Sequence, residues 1–578
     1  MHDIINPKKS STMKKIPYGI SDFVLLRSED YYFVDKTDYI EKLELYGRFI
    51  LFLRPRRFGK SLLIAILEAY YDIHYKDEFD TLFKDTYIIK HKNQEASSYM
   101  VLRFDFSAID ISNVEESFRY DLQLTLKSFV ERYSLDIIFG NSSPISMLRD
   151  IFDYIQQNKL KLYLLIDEYD NFANKLLLNS QNEYLNIVSQ KTASFKQFFT
   201  VLKAGASGNN APIRRMFITG VTPMTMYDVT SGFNIGDNIS LHKEFNNLIG
   251  INSAELEEML RHYEIDKEVD TTILQEWYDN YTFSEDSDEH IYNTDMILYF
   301  INKYRISNTL PREMIDINVR SDYSKLKSII YTNKKLNGNF TALQTLIGGE
   351  SISLSNLVQD FSALDVNKEN NFKSFMFYLG LVTIKERRLN LTLKIPNETV
   401  KRIDIDFLKD ALEIESIFEI DISQLEREFK KFALDGEIEV FRYLANLIKE
   451  STGIRDYIYN EASIKSMYLA YLSLTPYYVI KSEAEMNMGF CDIFLKPLNP
   501  FVEYIGLVEF KYIKRSDTPS EEKIEALTQE ATDQLMEYER DEIVQHYITQ
   551  GLKVRKVIII FWGWEMVGCR LRNLPRTI

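Results

Sequence analysis

The chain has 578 residues, of which 45% are hydrophobic and 27% charged, which is too much for one core and predicts about two to four domains. A net charge of −16 argues against a protein that coats itself with polyanion, but leaves room for a nucleic-acid cleft lined with carboxylates beside a local basic track. Two cysteines, Cys491 and Cys569, and seven histidines show no disulfide or zinc-ligand spacing, and no stretch is apolar enough to span a bilayer, so a cytoplasmic protein with no membrane partner is expected.

The opening MHDIINPKKSSTMKK carries no secretory pattern and reads as a polar, frayed start. Up to residue 250 or so, apolar runs alternate with helical stretches, the pattern of an α/β domain with a parallel sheet. RFILFL (Arg48 to Leu53), VLRFDFS (Val101 to Ser107), KLYLLID (Lys161 to Asp167) and RRMFITGV (Arg214 to Val221) are the expected buried strands.

The first strand runs into RPRRF, and GKSLLIAILEAYY leaves as a helix. Strand, loop and helix in that order are the context of a phosphate-binding loop. The helix start offers unpaired backbone N–H groups and positive dipole to an anion. Gly59 permits close approach of the backbone, Lys60 reaches the β- and γ-phosphates, and Ser61 holds Mg2+. Arg54 stands where the first glycine of GxxxxGK[ST] belongs, which raises the question of what it does there. Arg57, Phe58 and Leu62 complete the expected cofactor-binding set with Gly59, Lys60, Ser61 and Asp167. Asp167, ending its strand, is placed to hold Mg2+ through water, and Glu168 beside it to polarise the attacking water. Thr219 ends another strand and is a candidate to bond near the γ-phosphate; a strand threonine with a satisfied hydroxyl is the competing expectation.

From 251 to 450 the apolar spacing is mostly helical. NFKSFMFYLGLVTIKERRLNLTLKIPNETV departs from it, reading as a helix followed by a β-hairpin, the outline of a winged-helix module. From 451 to 578 another α/β unit is expected: a helix, three strands, a long helix and the strand VRKVIIIFWG.

That last unit carries a second set of chemistry. Glu509 and Lys511 are two apart on an expected strand and share a face, while Phe510 points the other way. Asp492 begins an earlier strand, Glu461 opens the upstream helix, and Gln534 lies on the downstream one. Two carboxylates and a lysine can seat one or two divalent ions and aim a water at a phosphodiester. A half-exposed strand with Glu and Lys as a simple pair is the bland alternative.

IPYGISDFVLLRSEDYYFVDKTDYIEKL followed by FLRPRRFGKSLL, with FITGVTPMTM…TSGFNI and EWYDNYTF…YNTDMILYF, resembles the AAA-ATPase-like family of bacterial proteins. That family's phosphate loop also lacks the first glycine. The C-terminal set resembles the PD-(D/E)xK nuclease domain commonly fused to it. The resemblance implies ATP as ligand, Asp492, Glu509 and Lys511 as the nuclease signature, and Glu461 and Gln534 as accessories. VDKT (Val34 to Thr37) is expected to pack beside the nucleotide pocket.

The expected fold is therefore a multidomain α/β protein: a P-loop NTPase domain over 1–250, a helical and winged-helix-like middle over 251–450, and a restriction-endonuclease-like domain over 451–578. The expected function is a Mg2+-dependent ATPase coupled to a nuclease, with Mg2+ or Mn2+ held by Asp492 and Glu509. DNA is preferred over RNA as substrate, and a homo-oligomer is one arrangement that could supply an arginine in trans. A nucleotide-gated sensor with an inert nuclease fold is the alternative.

Overall fold

The computed structural model describes the chain except for residues 1–12, 111, 173–183, 185, 188–189, 191–192, 230–235, 312, 317–318, 320–330, 333–334, 337, 415–419, 452, 454, 456–457, 476, 487–488, 499–500 and 572–578. Most of the polar start, residues 1–12, and the TSGFNI motif therefore lie outside the described residues. The chain divides into two compact units. The first is 1–325 with 354–391 and 396–399; the second is 326–353 with 392–395 and 400–578.

The first unit is built on a five-stranded sheet of β1 (Phe49–Leu53), β2 (Met100–Asp105), β3 (Leu162–Asp167), β4 (Ile213–Gly220) and the two-residue β5 (Asp237–Asn238), in the order β2-β3-β4-β1-β5. Every pairing is parallel. The four long strands fall where the apolar runs place them, each within two residues of its expected ends. β3 is buried at all six positions, as a strand covered on both faces must be, and this is why its sequence shows no alternation. Helices α1 (Lys60–Tyr71), α2 (Val114–Arg132), α3 (Pro144–Gln157) and α4 (Ser194–Gly205) follow strands as crossovers. Phe106, Phe118, Phe195 and Phe198 meet largely edge-on between α2, α4 and the sheet, a geometry worth about 1 kcal/mol per pair beyond area burial.

The unit continues through α5 (Ser253–His262) and α6 (Thr294–Ser307). Farther on, α7 (Glu369–Leu379) ends on Gly380 and is followed by the strand Thr383–Arg387; the next strand, Leu391–Lys394, falls from Thr392 onward in the second unit. A helix and two short strands thus stand where the sequence suggests them.

In the second unit α8 (Glu461–Leu472) precedes a sheet of β6 (Tyr478–Met486), β7 (Gly489–Pro497), β8 (Tyr504–Ile513), β9 (Lys553–Trp562) and β10 (Glu565–Leu571), neighbours in chain order. All pairings are antiparallel except β8 with β9, which are parallel. A parallel pair needs a crossover, and α9 (Glu521–Glu539) with α10 (Glu542–Thr549) supplies it. Leu507, Leu535, Ile558 and Ile560 form part of the core under α9. No helix among the described residues is long and apolar enough to cross a membrane.

Candidate functional site

The parallel register puts the C-terminal ends of β1, β3 and β4 side by side: Leu53 pairs with Gly220, and Ile166 with Ile218. In an open parallel sheet this edge is where ligands bind. The loop from Arg54 to Gly59 leaves β1 there and enters α1. Arg57 and Gly59 take φ of +68° and +108°, the left-handed region that glycine occupies without strain and arginine does not.

Arg54 answers its own question. It is 1% exposed, and its guanidinium turns away from the loop mouth to donate to the carbonyls of Leu53 (3.0 Å), Ser240 (2.5 Å) and Phe245 (2.8 Å). It sits over the rings of Phe52 and Phe283, 4.5 and 4.3 Å from their centroids. Burial pushes its pKa down to about 9, which leaves it charged at neutral pH. Arg54 therefore fastens the base of the loop to the segment after β5 and does not line a phosphate cradle.

Lys60 is 5% exposed and folds back on the loop, donating to the Arg54 and Pro55 carbonyls at 3.1 and 3.0 Å. Burial pushes its pKa down, and Glu168 and Asp167 oppose that. Asp167 is fully buried with no hydrogen-bond partner on either oxygen. Burial pushes its pKa up against the pull of the nearby Ser61 hydroxyl and Lys60. Glu168, held at φ +51°, is also pushed up by burial, with Lys60 and Arg56 opposing. Ser61, Lys60, Asp167 and Glu168 thus gather at one strand edge. Gly220 closes it: a Cβ there would clash with Asp170 Oδ1, while Asp170 accepts from the N–H groups of Val221 (3.0 Å) and Thr222 (2.7 Å).

Thr219 is fully buried and its hydroxyl donates to the Phe52 carbonyl at 2.8 Å, so it braces β1 against β4, the arrangement of a strand threonine with a satisfied hydroxyl.

Beside the loop lies a cavity of about 290 Å3 whose wall includes Arg57, Phe58, Gly59, Lys60, Ser61 and Leu62, along with Glu168. Tyr32, Val34, Ile249 and Leu298 make much of it apolar, as ligand pockets generally are. Lys36 lines it too, bonded to Asn247 Oδ1 (2.6 Å) and Glu255 (2.8 Å). Asp35 accepts from Thr37 Oγ1 at 2.7 Å and Tyr87 N at 2.6 Å. The VDKT segment therefore builds the pocket wall. The start of α6 braces the loop, a role the sequence reading missed. Asp295 pairs with Arg57 at 3.0 Å, and Thr294 Oγ1 donates to the Phe58 carbonyl at 3.0 Å.

In the second unit the carboxylates also converge. Phe510 N donates to Asp492 Oδ2 at 2.7 Å, and Asp492 N lies 3.4 Å from Glu509 Oε1. Lys511 Nζ is 3.9 Å from Glu509 Oε2 and donates to Gln534 Oε1 at 2.7 Å. Phe510 turns to the other face and meets Tyr468 edge-on. Glu461 faces the group from the first turn of α8. Burial, then the Asp492 charge, raises the Glu461 pKa to about 7 and that of Glu509 to about 9. One member was not anticipated: Lys465, a turn after Glu461, donates to Asp492 Oδ1 at 2.8 Å and to the Glu483 carboxylate. Burial alone would lower its pKa, but Asp492 and Glu483 more than offset that and raise it. The i, i+4 spacing from Glu461 was the available signal.

Among the described residues no group of three or more His, Cys, Asp and Glu side chains is arranged to hold a metal ion by itself. Mg2+ does not need such a cage; it commonly takes one or two carboxylates, water and substrate phosphate. Asp167 with its two unpartnered buried oxygens, and the Asp492–Glu509 pair, fit that mode.

Comparison with known proteins bears on both units. Residues 17–230 match the family described as predicted AAA-ATPase, and residues 459–570 the PD-(D/E)XK nuclease superfamily. An uncharacterized protein in the vnfD 5' region of Azotobacter chroococcum mcd 1 is 24% identical over 314 residues, 53% of this chain and 56% of that one. The chain thus spans about half the length of this curated relative. Two solved structures also align. The Aeropyrum pernix ORC2 protein, in ADPNP–ADP complexes, is 11% identical, with 66% of this chain and 92% of that one covered and a TM-score of 0.32. CDC6P from Pyrobaculum aerophilum is 10% identical, with 70% and 97% covered and a TM-score of 0.25. On the strength of the two family matches, the chain carries a predicted AAA-ATPase domain at residues 17–230 and a PD-(D/E)XK nuclease superfamily domain at residues 459–570.

Proposed function

We propose that this protein binds and hydrolyses ATP at the Lys60 loop and uses that cycle to license metal-dependent cleavage of nucleic acid, DNA ahead of RNA, at the Asp492–Glu509–Lys511 cluster. One observation carries the reading: each compact unit sets a lysine against buried carboxylates borne by its central sheet, so one chain holds two places suited to phosphate chemistry.

At the loop, the backbone from Arg57 to Leu62 cradles the phosphates and Lys60 exchanges the Arg54 and Pro55 carbonyls for β- and γ-phosphate oxygens. Ser61 and Asp167 would hold Mg2+, which neutralises charge on the leaving phosphates. Glu168 accepts a proton from the attacking water, and its raised pKa suits it to that task. In the second unit Asp492 and Glu509 would hold Mg2+ or Mn2+, which polarises the phosphodiester and acidifies water. Lys511, steadied by Gln534, stabilises the charge that develops on the phosphate. Glu461, with a pKa of about 7, trades a proton with solvent near the site. A part in mobile-element or phage defence is a proposal from the pairing of an ATPase with a nuclease alone.

A second reading has an observation of its own. Lys465 already neutralises Asp492, as expected of an inert nuclease fold serving a nucleotide-gated sensor. Incubation of the full chain with plasmid and single-stranded DNA, ATP and Mg2+ or Mn2+ separates the two. Cleavage lost in Asp492→Asn and Lys511→Ala, with ATP turnover retained, supports the nuclease. ATP turnover without cleavage of any DNA or RNA supports the sensor, and absence of both activities sinks the ATPase reading as well.

A further inference from the structure

The antiparallel register lines up more acid than the sequence motif names. In β6 and β7, Ser482 pairs with Ile493 and Ala484 with Cys491, so Glu483 stands abreast of Asp492. In β7 and β8, Ile493 pairs with Val508, which brings Glu509 abreast of Asp492 on its other side. Glu483, Asp492 and Glu509 therefore form a row across three strands, and Glu461 faces it from α8. Like charges directly opposite one another on a sheet repel and need compensation.

Two lysines provide it, at opposite ends of the row. Lys465, 3% exposed, touches Glu483 and Asp492. Lys511 stands 3.9 Å from Glu509 and also meets Glu530 at 2.9 Å, a rim carboxylate whose 57% exposure lets water screen it. With all four inner carboxylates ionised, as they are once a cation displaces the protons that burial favours, two ammonium groups leave a formal charge of −2, which one divalent ion balances and two would exceed. The coordination is also lopsided: the Glu483 end is occupied by an ammonium, whereas Glu509 meets Asp492 itself, through its carboxylate and its N–H at 3.4 Å, and reaches Lys511 only at 3.9 Å.

We propose that Lys465 is a resident cation standing in for a second metal ion, so that this pocket takes a single divalent ion between Asp492 and Glu509. The inference rests on the proposed metal-dependent reading of the same carboxylates. It makes Lys465 a positioning residue: it holds Asp492 Oδ1 in place and sets the charge that the incoming ion meets.

The test is a Mn2+ titration of the full chain without nucleotide, followed by the paramagnetic resonance signal of free Mn2+. Asp492→Asn serves as the blank for ions held elsewhere. The unmodified protein is expected to bind one ion more than the blank. Lys465→Met is expected to bind two, or to bind the first at least about tenfold more tightly, because a neighbouring positive charge is gone. Two ions in the unmodified protein, or one ion with unchanged affinity in Lys465→Met, overturns the proposal while leaving a metal site intact. No difference between the protein and the blank overturns both the proposal and the metal-dependent reading. Should Lys465→Met fail to fold, Glu483→Gln replaces it. That change removes a negative charge without touching the Asp492–Glu509 pair, and should weaken the single ion by about five- to tenfold. Unchanged affinity there refutes the role given to Lys465.

Discussion

At the scale of single residues, the lysine of the phosphate loop and the threonine of β4 separate cleanly. Lys60 is held only by two carbonyls that a phosphate can replace, so Lys60→Ala should lower ATP turnover by about 100-fold or more, the usual cost of removing a charge-stabilising group. Thr219→Val should change turnover less than about threefold, because its hydroxyl is bound to Phe52; its cost is stability, about 1–2 kcal/mol for the unpaired carbonyl. Phosphate release and thermal melting measure the two effects. The carboxylates of the second unit make a pH prediction. Glu461 and Glu509 have pKa values raised from 4.5 to about 7 and about 9. Between 4.5 and those values the folded chain holds protons that the unfolded chain has released, so stability falls as pH rises. In chelator, the melting temperature of the second unit should drop steadily from pH 5.5 to 8.5, and Glu509→Gln should flatten the decline. A rise over that range would contradict the burial of these groups.

At the scale of elements, Arg54 shows what a motif can hide. A phosphate loop without its first glycine looks damaged by pattern alone. The structure gives the arginine another task, three carbonyls and two aromatic faces at the base of the loop. Restoring the glycine should therefore hurt: Arg54→Gly is expected to cost about 3 kcal/mol through lost packing and unpaired carbonyls, read as a lower denaturant midpoint with no gain in ATP turnover. The long strands were legible because β3 and its neighbours are continuous apolar runs, and the places of Asp167 at a strand end and Glu509 within a strand followed from them. β5 was not legible, since two polar residues, Asp237 and Asn238, give no periodicity. Neither was the brace from Thr294 and Asp295 to the loop, which joins residues more than 230 apart. Lys465 was hidden for a third reason. A lysine in an apolar helix reads as a solvent-facing position until the sheet opposite is known to be acidic.

At the scale of the whole molecule, the question is whether the two sites act as one device. Coupling requires that ATP or its products favour one state of the second unit over another, by a differential free energy and not by proximity. Two variants isolate it. Lys60→Ala should remove any dependence of DNA cleavage on ATP, leaving the rate of the nucleotide-free protein. Asp492→Asn should abolish cleavage and leave ATP turnover within about twofold, since binding reciprocity does not oblige catalytic rates to change together. Thermodynamic reciprocity does apply to binding. If ATP strengthens DNA binding by some factor, DNA must strengthen ATP binding by the same factor, and both can be measured in Asp492→Asn with a non-hydrolysable ATP analogue, where neither DNA nor nucleotide is consumed. Equal factors above one establish coupling and give its size through the logarithm of the ratio. Factors of one in both directions mean that the two sites are not coupled through binding, and any ATP dependence of cutting would then have to act on the rate of cleavage alone.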